Sequence, residues 1–300
     1  MTNDGRRGRS PEADDALDMP PLPSGMRAGS TKPLPDDRQA VTFHLDGQAP
    51  GPAGRSLQPA ELKAFEADFF SDLAAVRSWA AKVHWQPCAV AGLRVLVSDR
   101  YEISRSLVPA WYGQSGHMEF PARRVLERRA AIAHELVHVF FPNGNRWLAE
   151  GLAVYLQAEV GGNPAFPNFG RPLHELARER LREMVPELAP GDVHSLDRIH
   201  LPELDSVATP APLELRVGED SYGEEPRGQG RIYPLAGSFV SFLIETWGAE
   251  RFRWLLLQTP LVPRQHNGGS PGRWSDVYGR PLAALELEWK ALMVDGTLRR

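Results

Sequence analysis

Cysteine is almost absent from this chain of 300 residues: Cys88 stands alone. An intrachain disulfide is therefore excluded, and so is a cysteine-rich zinc cluster. A lone thiol fits a reducing compartment and reads as a small buried hydrophobe. Long apolar runs are missing too. The longest uncharged apolar stretch covers residues 232–244, short of the roughly 20 residues a bilayer requires. The opening MTNDGRRGRSPEADD mixes charges of both signs around no apolar centre, so it does not read as a secretory signal. The expectation is a soluble, cytoplasmic protein with no membrane span. Basic residues are not in excess: 34 Lys and Arg face 38 Asp and Glu, a net charge of −4. That balance gives no footprint for nucleic acid.

The composition that is present, 42% hydrophobic and 24% charged, is that of a globular protein. It is unevenly spread. Residues 1–55 are rich in Pro, Gly, Ser, Asp and Arg and show no sustained hydrophobic period. Such a stretch buries too little apolar surface to offset its chain entropy. The sequence predicts a disordered tail over 1–55 and one folded domain over 56–300. Leu62, Phe65, Phe69, Leu73, Val76 and Ala80 recur at three- and four-residue spacing, which predicts a long amphipathic helix ending before Pro87. Leu93 to Val97 reads as a buried strand, and GHMEF over 116–120 as a weaker one. Further helices are expected near 123–141, 146–160, 172–184 and 234–258. Residues 186–231 read as an irregular excursion, and a loop over 266–273 leads to a last helix from Pro281.

The informative segment is His134-Glu135-Leu136-Val137-His138, the pattern HExxH. Helical residues four apart lie about 40° from each other, one turn up on the same face. Two imidazoles placed so can grip one ion. Glu135, on the flank, reaches a water on that ion without being a ligand. Ile132, Leu136 and Phe140 form an apolar stripe on another face, so the helix can bury that face and leave the histidines on a cleft. A catalytic zinc takes three protein ligands and keeps one position open. A metzincin is excluded, since the positions its Gly and His require hold Phe141 and Gly144. Glu150 completes the set instead. Pro142 should stop the first helix near Phe141, Pro142-Asn143-Gly144-Asn145 forms a reverse turn, and Asn145 caps a second helix. His138 and Glu150 then lie level, each roughly 5 to 8 Å from the bend.

HELVH followed by WLAEGLAVYL resembles the gluzincin pattern HExxH…WLxEGLAxY. That pattern is seen in peptidase-MA-like bacterial proteins and, more distantly, in membrane-alanyl and leukotriene-hydrolase aminopeptidases. The resemblance implies that His134, His138 and Glu150 bind zinc and that Glu135 is the catalytic base. Tyr233-Pro234-Leu235-Ala236-Gly237-Ser238 is similar to the helix whose tyrosine steadies the oxyanion in those aminopeptidases, which implies that role for Tyr233. Pro234 suits a first helical position and would put Tyr233 at the helix mouth. Residues 277–290 resemble the family's closing helix. GHMEF lacks the Asn of the exopeptidase motif GxMEN and lies too close to His134, so Glu119 is read as an edge-strand surface residue.

The implied fold is α+β and predominantly helical: a zincin-like domain with a small sheet over the HExxH helix and a helical lower half. The implied activity is zinc-dependent hydrolysis of peptide or protein substrates, with residues 116–120 as the edge strand that pairs with the peptide. The alternative is a catalytically silent zinc-binding scaffold, and hydrolysis of a non-peptide amide or ester also stays open. The other histidines read as surface or capping residues; His200 is a candidate to enter the cleft. Tyr222 and Tyr112 are the alternative oxyanion donors.

Overall fold

The structure, a computed structural model, describes residues 26–33, 40–46, 57–107, 115–188, 192–197, 199–201, 205, 213–217, 219–223, 226–259 and 269–295. It is mixed α/β, with helix predominant. Five strands form one sheet: β1 (Met26–Pro33), β2 (Ala40–Asp46), β3 (Gly92–Ser98), β4 (Arg105–Leu107) and β5 (Ser115–Pro121), in the order β1-β2-β3-β5-β4. The β2-β3 and β3-β5 pairs are parallel, and β1 and β4 run antiparallel to their neighbours. Among the described residues no helix is long and apolar enough to cross a membrane.

The sheet is held by α1 (Pro59–Lys82), the helix its periodicity predicts. Pro59 opens it, and the Glu61 carboxylate accepts the Gln58 N–H at 2.8 Å, the return half of a capping box. Its stripe of Phe65, Phe69, Leu73, Val76 and Ala80 is buried, and the two phenylalanines meet the strands. Phe43 of β2 meets Phe65 and Phe69 edge to face, with centroids 6.1 and 5.4 Å apart, and Phe65 meets Phe120 of β5 at 5.5 Å.

This corrects the expected tail. Residues 26–33 and 40–46 are strands, and Val41 and Phe43 are fully buried. Val41-Thr42-Phe43-His44-Leu45 alternates apolar and polar at the strand period, but the run is short and sits amid Pro- and Gly-rich sequence. The folded unit therefore begins before residue 56. The rest of the expected tail, at 1–25, 34–39 and 47–55, lies outside the described residues.

The segment 123–141 is two helices rather than one: α2 (Ala122–Leu126) and α3 (Ile132–Phe140). Arg128 takes a left-handed φ of 54°, while Arg129 N–H reaches Arg124 O and Arg128 N–H reaches Val125 O. That is a Schellman closure without its usual glycine, so no residue type announces the break. After the turn come α4 (Arg146–Glu159) and α5 (Leu173–Met184). The expected excursion over 186–231 contains a 3₁₀ turn, Val193–Leu196, and a hairpin of β6 (Glu214–Val217) and β7 (Asp220–Gly223).

The next helix, α6 (Pro226–Trp247), starts at Pro226 and carries Pro234 inside it. The expected start at Pro234 is thus eight residues late, and Tyr233 stands within the helix rather than at its mouth. Two prolines competed for the opening position, and the earlier one holds it. The chain ends through α7 (Ala249–Leu257), α8 (Gly272–Tyr278) and α9 (Leu282–Asp295). Part of the loop expected at 266–273 lies outside the described residues.

Two close approaches set the site's geometry. A Cβ on Gly116 of β5 would lie 2.9 Å from Val139 of α3, so the strand rests directly on that helix. A Cβ on Gly151 of α4 would lie 2.7 Å from the Ala236 carbonyl of α6.

Candidate metal centre

Helix α3 starts without a capping side chain of its own, because Ala131 holds the N-cap position. Its first-turn N–H groups are satisfied from other helices. Asp72 of α1 accepts from Ala133, and also from Gly162 at 2.8 Å. Gln157 of α4 accepts the His134 N–H at 3.1 Å, while its own amide donates to Asn163 O at 3.1 Å. The motif helix is thereby pinned from both sides.

Helix α4 is set just as firmly. The Asn145 side-chain oxygen Oδ1 accepts from Leu148 N–H at 3.0 Å, the N-cap bond its sequence predicts. Its amide donates to the Asp205 carboxylate at 2.8 Å. Asp205 also accepts from Arg273 at 2.6 Å and from Trp274 at 2.9 Å, all of it buried.

These two helices bring three ligand atoms together. His134 Nε2 and His138 Nε2 lie 3.2 Å apart, and Glu150 Oε2 is 3.2 Å from the first and 3.4 Å from the second. A tetrahedral zinc with bonds near 2.0 to 2.1 Å separates its ligand atoms by about 3.3 to 3.4 Å. The triangle therefore has the size of one face of such a tetrahedron. Glu150 Oε2 is buried and accepts no well-aligned hydrogen bond, whereas Oε1 receives Arg146 at 3.1 Å. One oxygen is anchored and the other faces the imidazoles. The residues fit a divalent ion with nitrogen and oxygen ligands.

The two carboxyls here are pushed in opposite directions. Burial raises the Glu135 pKa to about 7, and the nearby Glu150 charge adds to this against the pull of His134. For Glu150 burial also opposes the charge, but Arg146 and the two histidines outweigh it and hold the carboxyl well below its ordinary value. Ser106 of β4 approaches Glu135 closely enough to favour its charge.

The ligands open on a cavity of about 310 Å³ lined by β4, the elbow between α2 and α3, α4 and α6. Tyr233 lines it too, with its ring stacked on His134 at 6.1 Å and an interplanar angle of 15°. All five residues singled out from the sequence, His134, Glu135, His138, Glu150 and Tyr233, therefore meet in one cleft.

Other expectations fall elsewhere. His200 is exposed and Tyr222 packs under Arg231; neither lines the cleft. Tyr112 and His266 lie outside the described residues. Strand β5 is internal, and β4 is the edge beside the cleft. Glu119 is accordingly not a surface residue. It is buried with His117, which it meets at 2.9 Å, and it pairs with Arg105. His174 meets the Ser238 hydroxyl at 2.9 Å and lies 3.4 Å from Glu245. That trio has the composition of a hydrolytic relay, but Ser238 is fully buried under Trp289 and does not line the cleft.

Arg146, Asp72 and Gln157 were not foreseen. Only Arg146 left a local signal, its four-residue spacing from Glu150. Comparison with known protein families and with curated proteins found no match.

Proposed function

We propose that this chain is a zinc-dependent metallopeptidase of the gluzincin kind, with a zincin-like arrangement of sheet, motif helix and helical lower half. The observation that carries the reading is the ligand triangle of 3.2 to 3.4 Å, open to a cleft that also holds the buried carboxyl of Glu135. A two-imidazole, one-carboxylate set suits zinc in a catalytic site.

His134, His138 and Glu150 would hold the zinc, which when bound would supply Lewis acidity and lower the pKa of a water toward neutrality. Glu135 takes the proton from the attacking water and delivers it to the departing amine. A carboxyl already lifted by burial suits both halves of that task. Tyr233 donates its hydroxyl to the oxyanion that develops on the scissile carbonyl. Arg146 holds Glu150 in its ligand pose. Strand β4, whose Arg105 and Ser106 line the cleft, takes the pairing role expected of residues 116–120: an extended peptide backbone adds to the sheet there.

Metal analysis and a peptidase assay test this together. Purified protein is expected to hold one equivalent of zinc and to degrade an unfolded protein substrate, with activity lost to a chelator and restored by zinc. Glu135→Gln should keep the metal and lose turnover by about 10²- to 10⁴-fold. Unchanged hydrolysis by Glu135→Gln overturns the assignment of the base. Bound zinc without any hydrolysis by the wild type favours the silent scaffold instead.

A further inference from the structure

The run from Ala122 to Ala131 contains four arginines, and the fold divides them. Arg128 turns outward, 2.6 Å from Asp68 of α1. Arg123, Arg124 and Arg129 line the cleft that holds His134 and Glu135. Arg105 and Arg146 line it as well, but each already faces a carboxylate, Glu119 and Glu150 respectively. Among the described residues the elbow arginines form no such close ion pair: Arg123 donates to the Glu102 backbone carbonyl, Arg129 lies over the Phe169 ring at 5.7 Å, and Arg124 feels Glu127 only at longer range.

Three guanidinium groups from one short segment, all lining one cavity, repel one another. The strain registers on Arg124, whose pKa is lowered by burial and by Arg123 and Arg129, with Glu127 offsetting part of this. An anion arriving in the cleft would relieve it. A series of ring contacts runs from the candidate metal ligands to Arg129, and two of its members, Tyr233 and Phe166, line the cleft. His134 stacks on Tyr233, Tyr233 lies 6.0 Å from Phe166, Phe166 lies 6.2 Å from Phe169, and Arg129 covers Phe169. Because Arg123, Arg124 and Arg129 line the same cavity as His134, Glu135 and Tyr233, one ligand seated in it can meet the reacting centre and the arginines together.

We propose that Arg123, Arg124 and Arg129 form a carboxylate-binding subsite, so that the cleft selects peptides bearing an acidic side chain or a free C-terminal carboxylate near the scissile bond. This rests on the metallopeptidase reading. A guanidinium matches a carboxylate through paired N–H bonds, and the cluster lies inside a cleft rather than along an extended stripe. With a net charge of −4, a short acidic peptide fits better than a nucleic acid.

The test uses the full-length, zinc-loaded Glu135→Gln protein, which holds peptides without turning them over. Labelled octapeptides of Ala and Leu carry one Glu at each position in turn, with Gln counterparts, each with a free or an amidated C-terminus. Fluorescence anisotropy at low and high salt reads affinity. At least one Glu or free-carboxylate peptide should bind about tenfold or more tighter than its neutral counterpart. The Glu/Gln comparison identifies a side-chain carboxylate, and the free/amidated comparison a terminal one. Adding Arg123→Gln with Arg129→Gln, both at exposed positions, should shrink the ratio to below about twofold; Arg124→Gln is the second variant.

Equal affinity for charged and neutral peptides overturns the proposal, as does no binding by any peptide or a ratio that survives both sets of substitutions. Equal competition by a ten-nucleotide single-stranded DNA also overturns it, in favour of a general polyanion site. Discrimination without hydrolysis by the wild type would leave the subsite standing and remove the peptidase chemistry. Hydrolysis without discrimination does the reverse.

Discussion

Tyr233 isolates what one hydroxyl does in this cleft. Its ring stacks on His134 and touches Phe166, contacts that survive Tyr233→Phe, so the substitution removes only the donor. If that donor stabilises the oxyanion, kcat should fall about 10²-fold with KM changed little, since the interaction exists only in the transition state. Zinc content should stay at one equivalent. A fall in bound metal would instead make Tyr233 a packing support for His134. At this scale the centre was legible where chemistry follows sequence spacing: the four-residue step of the histidines and the short turn before Glu150. Asp72 and Gln157 gave no such sign. Their partners, Gly162 and His134, are 90 and 23 residues away, and nothing about an isolated Asp or Gln says which helix it will cap.

Helix α3 illustrates the element scale, because its start depends on a carboxylate from another helix. Burial raises the Asp72 pKa to about 6 from 3.8, against the lowering effect of the Gly162 and Ala133 N–H groups. A raised pKa means that the folded state holds the proton more tightly than the unfolded chain. Stability from this group is therefore greatest below about pH 4 and falls as pH rises through about 6. Above that the ionised form costs about 2 to 3 kcal/mol. Asp72→Asn keeps an acceptor and removes the charge. Denaturant unfolding should find the variant more stable than wild type at pH 8, with the difference vanishing near pH 4. A wild type that is the more stable at pH 8 would show that the charge favours the α3 dipole more than burial opposes it. The break before α3 was hidden for a related reason. Its left-handed residue is Arg128 rather than glycine, and tertiary packing rather than propensity tolerates it. The start of α6 at Pro226 was missed because either proline satisfies a first-turn rule.

On the scale of the whole molecule, the sheet is larger than its legible part. Helix α1 and strand β3 stand out by period and composition, yet the face they build is completed by β2, from a region whose average composition argues for disorder. Phe43 fills the space between Phe65, Phe69 and Phe70, with centroids 5.4 to 6.2 Å away. Without β2, strand β3 becomes an unpaired edge and the aromatic face of α1 is bared. Phe43→Ala should cost about 3 to 5 kcal/mol, the range for a fully buried aromatic. A chain shortened to begin at residue 56 should lose more, with a lower melting temperature, weak near-UV dichroism and a tendency to aggregate. The effect should reach the metal centre, because β3 pairs with β5 and β5 rests on α3 through Gly116. Zinc affinity in the shortened chain is expected to fall although every ligand is retained. If that chain melts at the full-length temperature and binds zinc equally, β2 is an ornament on the sheet and the centre is organised by the helices alone.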